Sequence, residues 1–391
     1  MMIMAIVVTD NVKNFNAVPE NNRDRTLYLS YSVIRDTMEV GVAFSSGTLS
    51  YNIVKEFIPM LETPELVAAH SYANRTSVDS EITEESVTLN RMYTDPTYWK
   101  FLSFSFLEGR AFSEEEFLSE ISNAVISESA AKKLFKGESA IGKTINVDLK
   151  PYRVIGIIKD VSPVFTEAYS DIWIPFTSNS PAGSVVLLLP KNKSDITAIK
   201  EEFRKIEKKY SDNNNSDGKT RKSLTLRGPE THRTRVMNLN GDNDSVISEN
   251  IKIQNRKIWF IVIVILLVPA INLSGLNLSR IKRRTPEIGV RKAFGAKRHV
   301  ILIQVLCENL ITSFIGGILG LLLSVFVLFH MRNWLLGVPP DSAIPFSTIF
   351  SIPVFLSVFT ACVIINVLSA AIPAYRASRM SIVNSITNND K

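Results

Sequence analysis

Residues 137–144, GESAIGKT, fit the pattern G-x-x-x-x-G-K-[ST]. That spacing can do chemistry when it cradles phosphate: backbone N–H groups converge, a lysine neutralises charge and a Ser or Thr hydroxyl ligates Mg²⁺. The cradle needs a buried strand before the loop and a helix after it, so that the helix N-terminus faces the anion. Here the order is reversed. Residues 129–136 (SAAKKLFK) have helical character, and residues 145–149 (INVDL) alternate as a strand does. The motif reads as a decoy.

Other candidate chemistry is thin. His70, His232, His299 and His330 are scattered, with no H-E-x-x-H pair and no G-x-S-x-G elbow around a serine. The run Glu114, Glu115, Glu116 reads as the acidic first turn of a helix capped by Ser113, not as a catalytic pair. The two cysteines, Cys307 and Cys362, both lie in apolar stretches and suggest neither a disulfide nor a metal site. No enzyme is legible.

The elements around these residues are more informative. A chain of 391 residues allows two or three domains. Its 46% apolar content is ordinary for a soluble protein, but the distribution is not. Crossing a hydrocarbon core of about 30 Å takes about 20 apolar residues in a helix. Segments 259–278 and 350–372 meet that requirement, as does the later part of 300–329. The first turns of the last carry Gln304, Glu308 and Asn309, and read as an interfacial lead-in. Lys and Arg orient the spans, because cytoplasmic loops retain them. Arg280, Lys282, Arg283, Arg284, Arg291, Lys292, Lys297 and Arg298 crowd the loop after the first span, whereas residues 331–348 hold only Arg332. Arg376, Arg379 and Lys391 follow the last span. Residues 280–299 and 375–391 are therefore expected in the cytoplasm, and residues 331–348 outside with everything before Arg256.

That topology places the long polar region 11–255 outside, yet the chain opens with only MMIMAIVV. Eight apolar residues span nothing, and no signal-peptide n-region or cleavage site accompanies them. Residues 1–10 read as the outer end of a truncated first helix, with about 15–40 further residues expected upstream in the reading frame. The expected fold is an α-helical membrane domain with a large α+β extracytoplasmic domain of two subdomains. The membrane domain comprises three complete transmembrane helices (256–279, 300–330 with its lead-in, and 349–374) plus the end of the truncated one. Within the exported domain, strands are expected at 26–33, 39–44, 86–93, 123–127 and 184–189, and helices at 50–61, 128–135 and 195–210. Residues 144–149 and 152–159 suggest a hairpin around Lys150 and Pro151, and residues 211–222 (SDNNNSDGKTRK) a loop or linker.

Between the first two spans lies TPEIGVRKAFGAKR, residues 285–298. Thr285 can cap a helix, Pro286 suits its first position and Glu287 complements the positive dipole end. Arg291 and Lys292 fall in the last turns, and Gly295 suits a left-handed C-cap. The reading is a helix of about nine residues with Ile288, Val290 and Phe294 as its apolar contacts. By charge alone the segment is a topology signal near lipid headgroups. A helix capped at both ends is more than topology needs. Further on, Gly316 and Gly320 form a small-x-x-x-small pattern that lets membrane helices approach closely, either within one subunit or between two.

From Glu287 to Arg298 the sequence resembles the MacB/FtsX-like family of ABC transporter permeases, whose cytoplasmic stretch runs E-I-G-[IV]-R-[RK]-A-x-G-A-[SK]-[RK]. Residues 108–112 (EGRAF), 124–127 (AVIS), 140–144 (AIGKT) and 152–157 (YRVIGI) resemble its extracytoplasmic domain. Glu308 and residues 373–378 (PAYRAS) resemble its membrane signature. The resemblance covers nearly the whole chain. It implies four spans in a bacterial inner membrane, with the large domain in the periplasm between the first two. It also implies a second permease subunit, identical or not, and a separate cytoplasmic ABC ATPase that holds the ATP, with no cofactor on this chain. Glu287, Ile288, Gly289, Arg291, Lys292, Phe294, Gly295, Ala296, Lys297 and Arg298 would be the coupling element. The implied function is mechanical transmission from ATP hydrolysis to the periplasmic domain, for export of a hydrophobic or peptide-like substrate. A periplasmic adaptor and an outer-membrane channel would be further partners. The alternative is an FtsX-like regulatory complex that activates a periplasmic cell-wall hydrolase. The expected surroundings are membrane lipid, not nucleic acid.

Overall fold

The computed structural model describes residues 18–38, 41–82, 86–177, 183–215, 221–236, 244–336 and 352–379. The expectations for residues 1–10 and for most of 331–348 lie outside these. Two compact units divide the chain, one within Lys13–Ser248 and the other from Glu249 onward.

The first unit opens with β1 (Leu27–Leu29), β2 (Tyr31–Met38), β3 (Gly41–Thr48), α1 (Tyr51–Phe57), β4 (Pro64–Ser71), β5 (Asn74–Ser80) and β6 (Val87–Thr94). It continues with α2 (Tyr98–Phe101), β7 (Phe106–Gly109), α3 (Glu114–Leu118), β8 (Asn123–Ser127), α4 (Glu128–Phe135), β9 (Thr144–Val147) and β10 (Lys150–Ile158). The remainder is β11 (Ile172–Pro175), β12 (Ser184–Pro190), α5 (Ile196–Asn214), β13 (Arg221–Arg227), β14 (Glu230–Thr231) and α6 (His232–Val236).

Strands β11, β8, β10, β9, β5 and β6 pair in that order, and β11 pairs with β6 to close the ring. Closure removes free edges that would otherwise recruit other chains. Val78, Leu89, Ile126, Ile145, Val147, Val154, Ile172 and Ile174 fill the core of this part, joined by Ala130, Leu134 and Phe135 of α4. From β6 the sheet runs on through β4, β12 and β1 to β14. A second sheet, β13-β2-β3, shares a core with Leu27 and Leu29 of β1 and Val186 and Leu188 of β12. There Leu224 and Leu226 meet Ile199, Phe203 and Ile206, which recur at helical spacing on α5.

Three local expectations are corrected. The segment 26–33 is not one strand: the chain changes sheet at Ser30, whose carbonyl accepts from Leu49 N. The hairpin turns at Asp148 and Leu149, both left-handed at φ 50° and 64°, so Lys150 and Pro151 open β10 instead. Two successive left-handed residues twist the chain as paired strands require. Asp148 is held by the Thr76 hydroxyl and the Arg91 guanidinium. Finally, the expected loop 211–222 starts as helix and ends as strand. Ser211 Oγ and Asn214 Nδ2 donate to the carbonyls of Glu207 and Tyr210 at 2.9 Å, carrying α5 through this polar run.

Among the described residues, the second unit holds α7 (Asp244–Arg283) from Glu249 on, α8 (Thr285–Ala293), α9 (Arg298–Leu336) and α10 (Ile352–Arg379). By length and composition, Glu249–Arg280 and His299–Leu336 could each cross a membrane, and Phe355–Ala371 is a shorter apolar helical stretch. Trp259, Phe260, Leu322, Phe326, Leu356 and Leu368 are exposed on these helices. Phe314 meets Phe359 edge-on at a centroid distance of 5.7 Å, and Asn366 Nδ2 donates to Ser313 Oγ, both joining α9 to α10. Ser369 Oγ donates to Ala270 O at 2.8 Å, joining α10 to α7.

Candidate coupling site

Helix α8 is as long as its sequence suggests, but it starts differently. Arg284 holds the N-cap position without a side-chain cap, Thr285 is the first helical residue and Pro286 follows. The Arg284 guanidinium turns instead to Glu308 of α9, 2.5 Å away. At the other end Gly295 takes φ 89°. Its N–H donates to Lys292 O and that of Ala296 to Arg291 O, both at 3.0 Å. These two bonds are those of a Schellman cap.

Of the three expected apolar contacts, Ile288 alone is buried among the described residues. It is 8% exposed and packs on Ile301, with Ala296, Leu302 and Val305 around it. Val290 and Phe294 are 49% and 89% exposed. One turn apart, they lie on a different stripe of the helix from Ile288. Gly289 is buried, Glu287 and Lys297 are exposed, Lys292 is half-buried and Arg298 opens α9. Arg291, expected to be available to a partner, donates to Gln304 Oε1 at 2.6 Å. Gln304 and Glu308, read above as an interfacial lead-in, thus stand one turn apart on α9 and receive the two arginines of the α8 segment. Their signal in the sequence was an i, i+4 polar pair inside an apolar run. Arg280, Arg284, Ile288, Val305, Glu308, Asn309 and Thr312 line a cavity of about 50 Å³, on the scale of a water or two.

The glycine pattern is also redistributed. Among the described residues, a Cβ built at Gly316 or Gly320 would meet nothing within 4 Å, whereas at Gly317 it would lie 2.5 Å from Phe359 Cε2. Among the described residues, close approach belongs to Gly317, a neighbour of the Gly316 and Gly320 pair.

In the first unit, residues 137–144 do sit between a helix, α4, and a strand, β9. The Gly142 and Lys143 N–H groups donate to Val154 O at 2.8 Å and Ala140 O at 3.2 Å, and Lys143 Nζ lies 2.6 Å from Glu138. The Ser113 cap on α3 is a full capping box with Glu116. Arg110 forks onto the Glu116 carboxylate with two bonds of 2.7 Å, and that interaction holds its pKa down at about 2. Among the described residues no cluster of His, Cys, Asp and Glu could hold a metal ion.

Residues 1–206 match the MacB-like periplasmic core domain, and residues 259–382 match the FtsX-like permease C-terminal domain. The chain therefore belongs to the MacB/FtsX-like ABC transporter permeases, and its large α+β domain is the family's extracytoplasmic one. It is 26% identical over 281 residues to the uncharacterized ABC transporter permease YknZ of Bacillus subtilis (strain 168), covering 71% of this chain and 66% of that protein. It is 24% identical over 397 residues to the macrolide export ATP-binding/permease protein MacB of Shewanella sp. (strain W3-18-1), covering 98% of this chain and 57% of that one. The chain thus spans about two thirds or less of these relatives. Among solved structures, the extracellular domain of YknZ matches at 20% identity with a TM-score of 0.34, covering 44% of this chain and 88% of that one. The periplasmic region of MacB from Actinobacillus actinomycetemcomitans matches at 16% identity with a TM-score of 0.36, covering 54% of this chain and 94% of that one. At those scores the family assignment rests on the sequence matches.

Proposed function

We propose that this chain is the membrane-spanning subunit of a mechanically transmitting ABC system, with α8 as the element that engages a separate ATPase. The observation that carries this reading is the division of labour on α8. Ile288, Arg284 and Arg291 fasten the helix segment to α9, while Val290 and Phe294 face outward. A helix fixed to a long neighbour on one stripe and apolar on another can take a push and pass it on. An exposed aromatic beside cations has the composition of an interface anchor. The name of the Shewanella relative joins ATP binding to permease function, which supports an ATPase partner for a chain spanning 57% of it.

In this reading α7, α9 and α10 cross a bacterial inner membrane after an earlier span, the first unit works in the periplasm, and two such subunits pair. ATP stays on the partner, and this chain catalyses no reaction. The movement serves export of a hydrophobic or peptide-like substrate, with an adaptor and an outer-membrane channel as further partners. The test is co-expression with a candidate ABC ATPase from the same genome. Phe294→Asp should leave membrane insertion intact and abolish co-purification or transport. Wild-type assembly and transport would reduce α8 to a topology signal.

A further inference from the structure

The chain enters the first unit through residues 18–26 and leaves it through β14 and α6, and both segments converge on one buried residue, Glu167: the exit segment on its carboxylate, the entry segment on its main-chain N–H. Arg235 of α6 places Nε 2.9 Å and Nη2 3.3 Å from the two oxygens of Glu167. The Glu167 backbone N–H donates to Glu20 Oε1 at 3.2 Å, and Glu20 Oε2 accepts from Arg23 Nε at 2.6 Å. Arg23 also donates to Val164 O and lies over the Phe165 ring. From the large sheet, His70 of β4 brings Nε2 within 3.0 Å of Glu167 Oε2. Tyr98 OH of α2 donates to the Glu167 carbonyl at 3.0 Å. Alongside, β1 pairs with β14, and Tyr28 OH lies 3.1 Å from His232 Nδ1. Glu20, Arg23, His70 and Glu167 are all buried.

Burying so many charges is an expensive way to stabilise a fold, since well-packed apolar residues would do as well or better. What a buried Arg–carboxylate fork does supply is a fixed distance and angle. This one fixes the segment leading toward α7, which opens at Asp244, to Glu167, whose carboxylate also faces His70 of the sheet and whose main-chain N–H holds Glu20 of the entry segment.

We propose that Glu167 is a positioning residue for mechanical coupling: it locks the exit segment to the entry segment and to the large sheet. Movement arriving along the chain from α7 then turns the periplasmic unit as one body instead of peeling its last segment away. The inference rests on the mechanical reading above.

The test uses the full chain reconstituted with its ATPase, with Cys307 and Cys362 replaced by Ser. Spin labels are placed on cysteines introduced at the exposed positions Leu149 and Trp334. The label distance is measured without nucleotide and with ATP plus vanadate. The wild-type complex should show a nucleotide-dependent shift. Glu167→Gln, which keeps the shape and removes the charge, should lose at least about tenfold of that shift while ATP hydrolysis stays within about twofold. Arg235→Lys keeps the charge and loses the fork, and should lose the shift as well. If Glu167→Gln fails to fold, Arg235→Lys decides alone. A wild-type shift in the folded variants overturns the proposal. Absence of a shift in a wild-type complex that still hydrolyses ATP overturns the mechanical reading instead.

Discussion

Arg291 Nη1 donates to Gln304 Oε1 across 2.6 Å, which makes this guanidinium a rivet between α8 and α9 instead of a free charge for a partner. Arg291→Glu should therefore act twice. It unfastens α8 and puts a negative charge near the negative end of the helix dipole. The expected result is a lower unfolding temperature in detergent together with lost ATPase co-purification. Phe294→Asp, at an exposed site, should lose only the co-purification. Equal thermal behaviour of the two variants would contradict this division.

Gly317 and the Gly316/Gly320 pair should separate cleanly. Gly317→Leu forces a side chain into Phe359 and should destabilise the α9–α10 packing by about 1–3 kcal/mol, the cost of overpacking. Gly316→Leu with Gly320→Leu meets no neighbour within 4 Å among the described residues, so it should cost less than Gly317→Leu in detergent unfolding and act mainly on subunit association. Thermal unfolding and size-exclusion profiles of both variants read this out.

Lys143→Ala should change neither nucleotide binding nor stability beyond about 0.5 kcal/mol, because the lysine's partner is a surface glutamate. Fluorescent-ATP titration of the full chain with and without the substitution checks it. Binding that disappears with Lys143 would restore the phosphate-loop reading.

Stability should fall as pH rises from about 4 to 7. Burial pushes the Asp95 carboxyl up to about 7, against the hydrogen bonds it accepts from the N–H groups of Tyr98 and Ala69. The folded chain keeps a proton there that the unfolded chain has already released. The contribution is therefore complete below the unfolded value of about 4 and lost as pH climbs through 7. Asp95→Asn should flatten that slope in denaturation of the full chain. Glu167 works in the other direction and in another window. Burial alone would raise it, but Arg235 and His70 outweigh that and hold it at about 2, so its contribution is lost only as pH falls from about 4.5 toward 2.

Leu149→Gly should raise the unfolding temperature of the periplasmic unit. Leu149 is 93% exposed and left-handed, so its side chain contributes little packing while carrying the steric cost of that conformation. The gain should be about 0.5–1 kcal/mol, net of the freedom that glycine adds to the unfolded chain. A lowered unfolding temperature would mean that the side chain has a contact of its own.

Local features of this protein could be read from its residues because their causes are local. The length of an apolar run sets what a helix can cross. Gly295 favours the left-handed turn that ends α8 whatever surrounds it, and the helix–loop–strand order around Lys143 follows from the periodicity of a few residues on either side. Ser113 and Glu116 cap α3 within four residues of chain. Which face of an element is used was a different matter. Successive helix residues point about 100° apart, so only the position of Phe359 on α10 decides that Gly317, and not its neighbour Gly316, is the crowded glycine. In the same way α9 decides that Ile288 is covered while Phe294 is left outside. The Glu167 node lay furthest from view. Its members, Glu20, His70, Glu167 and Arg235, are scattered along the chain, and each by itself reads as an ordinary surface residue. They meet only once the β-ladders are in register, because a charge buried in a fold can be recognised only together with the partner that the tertiary structure brings to it.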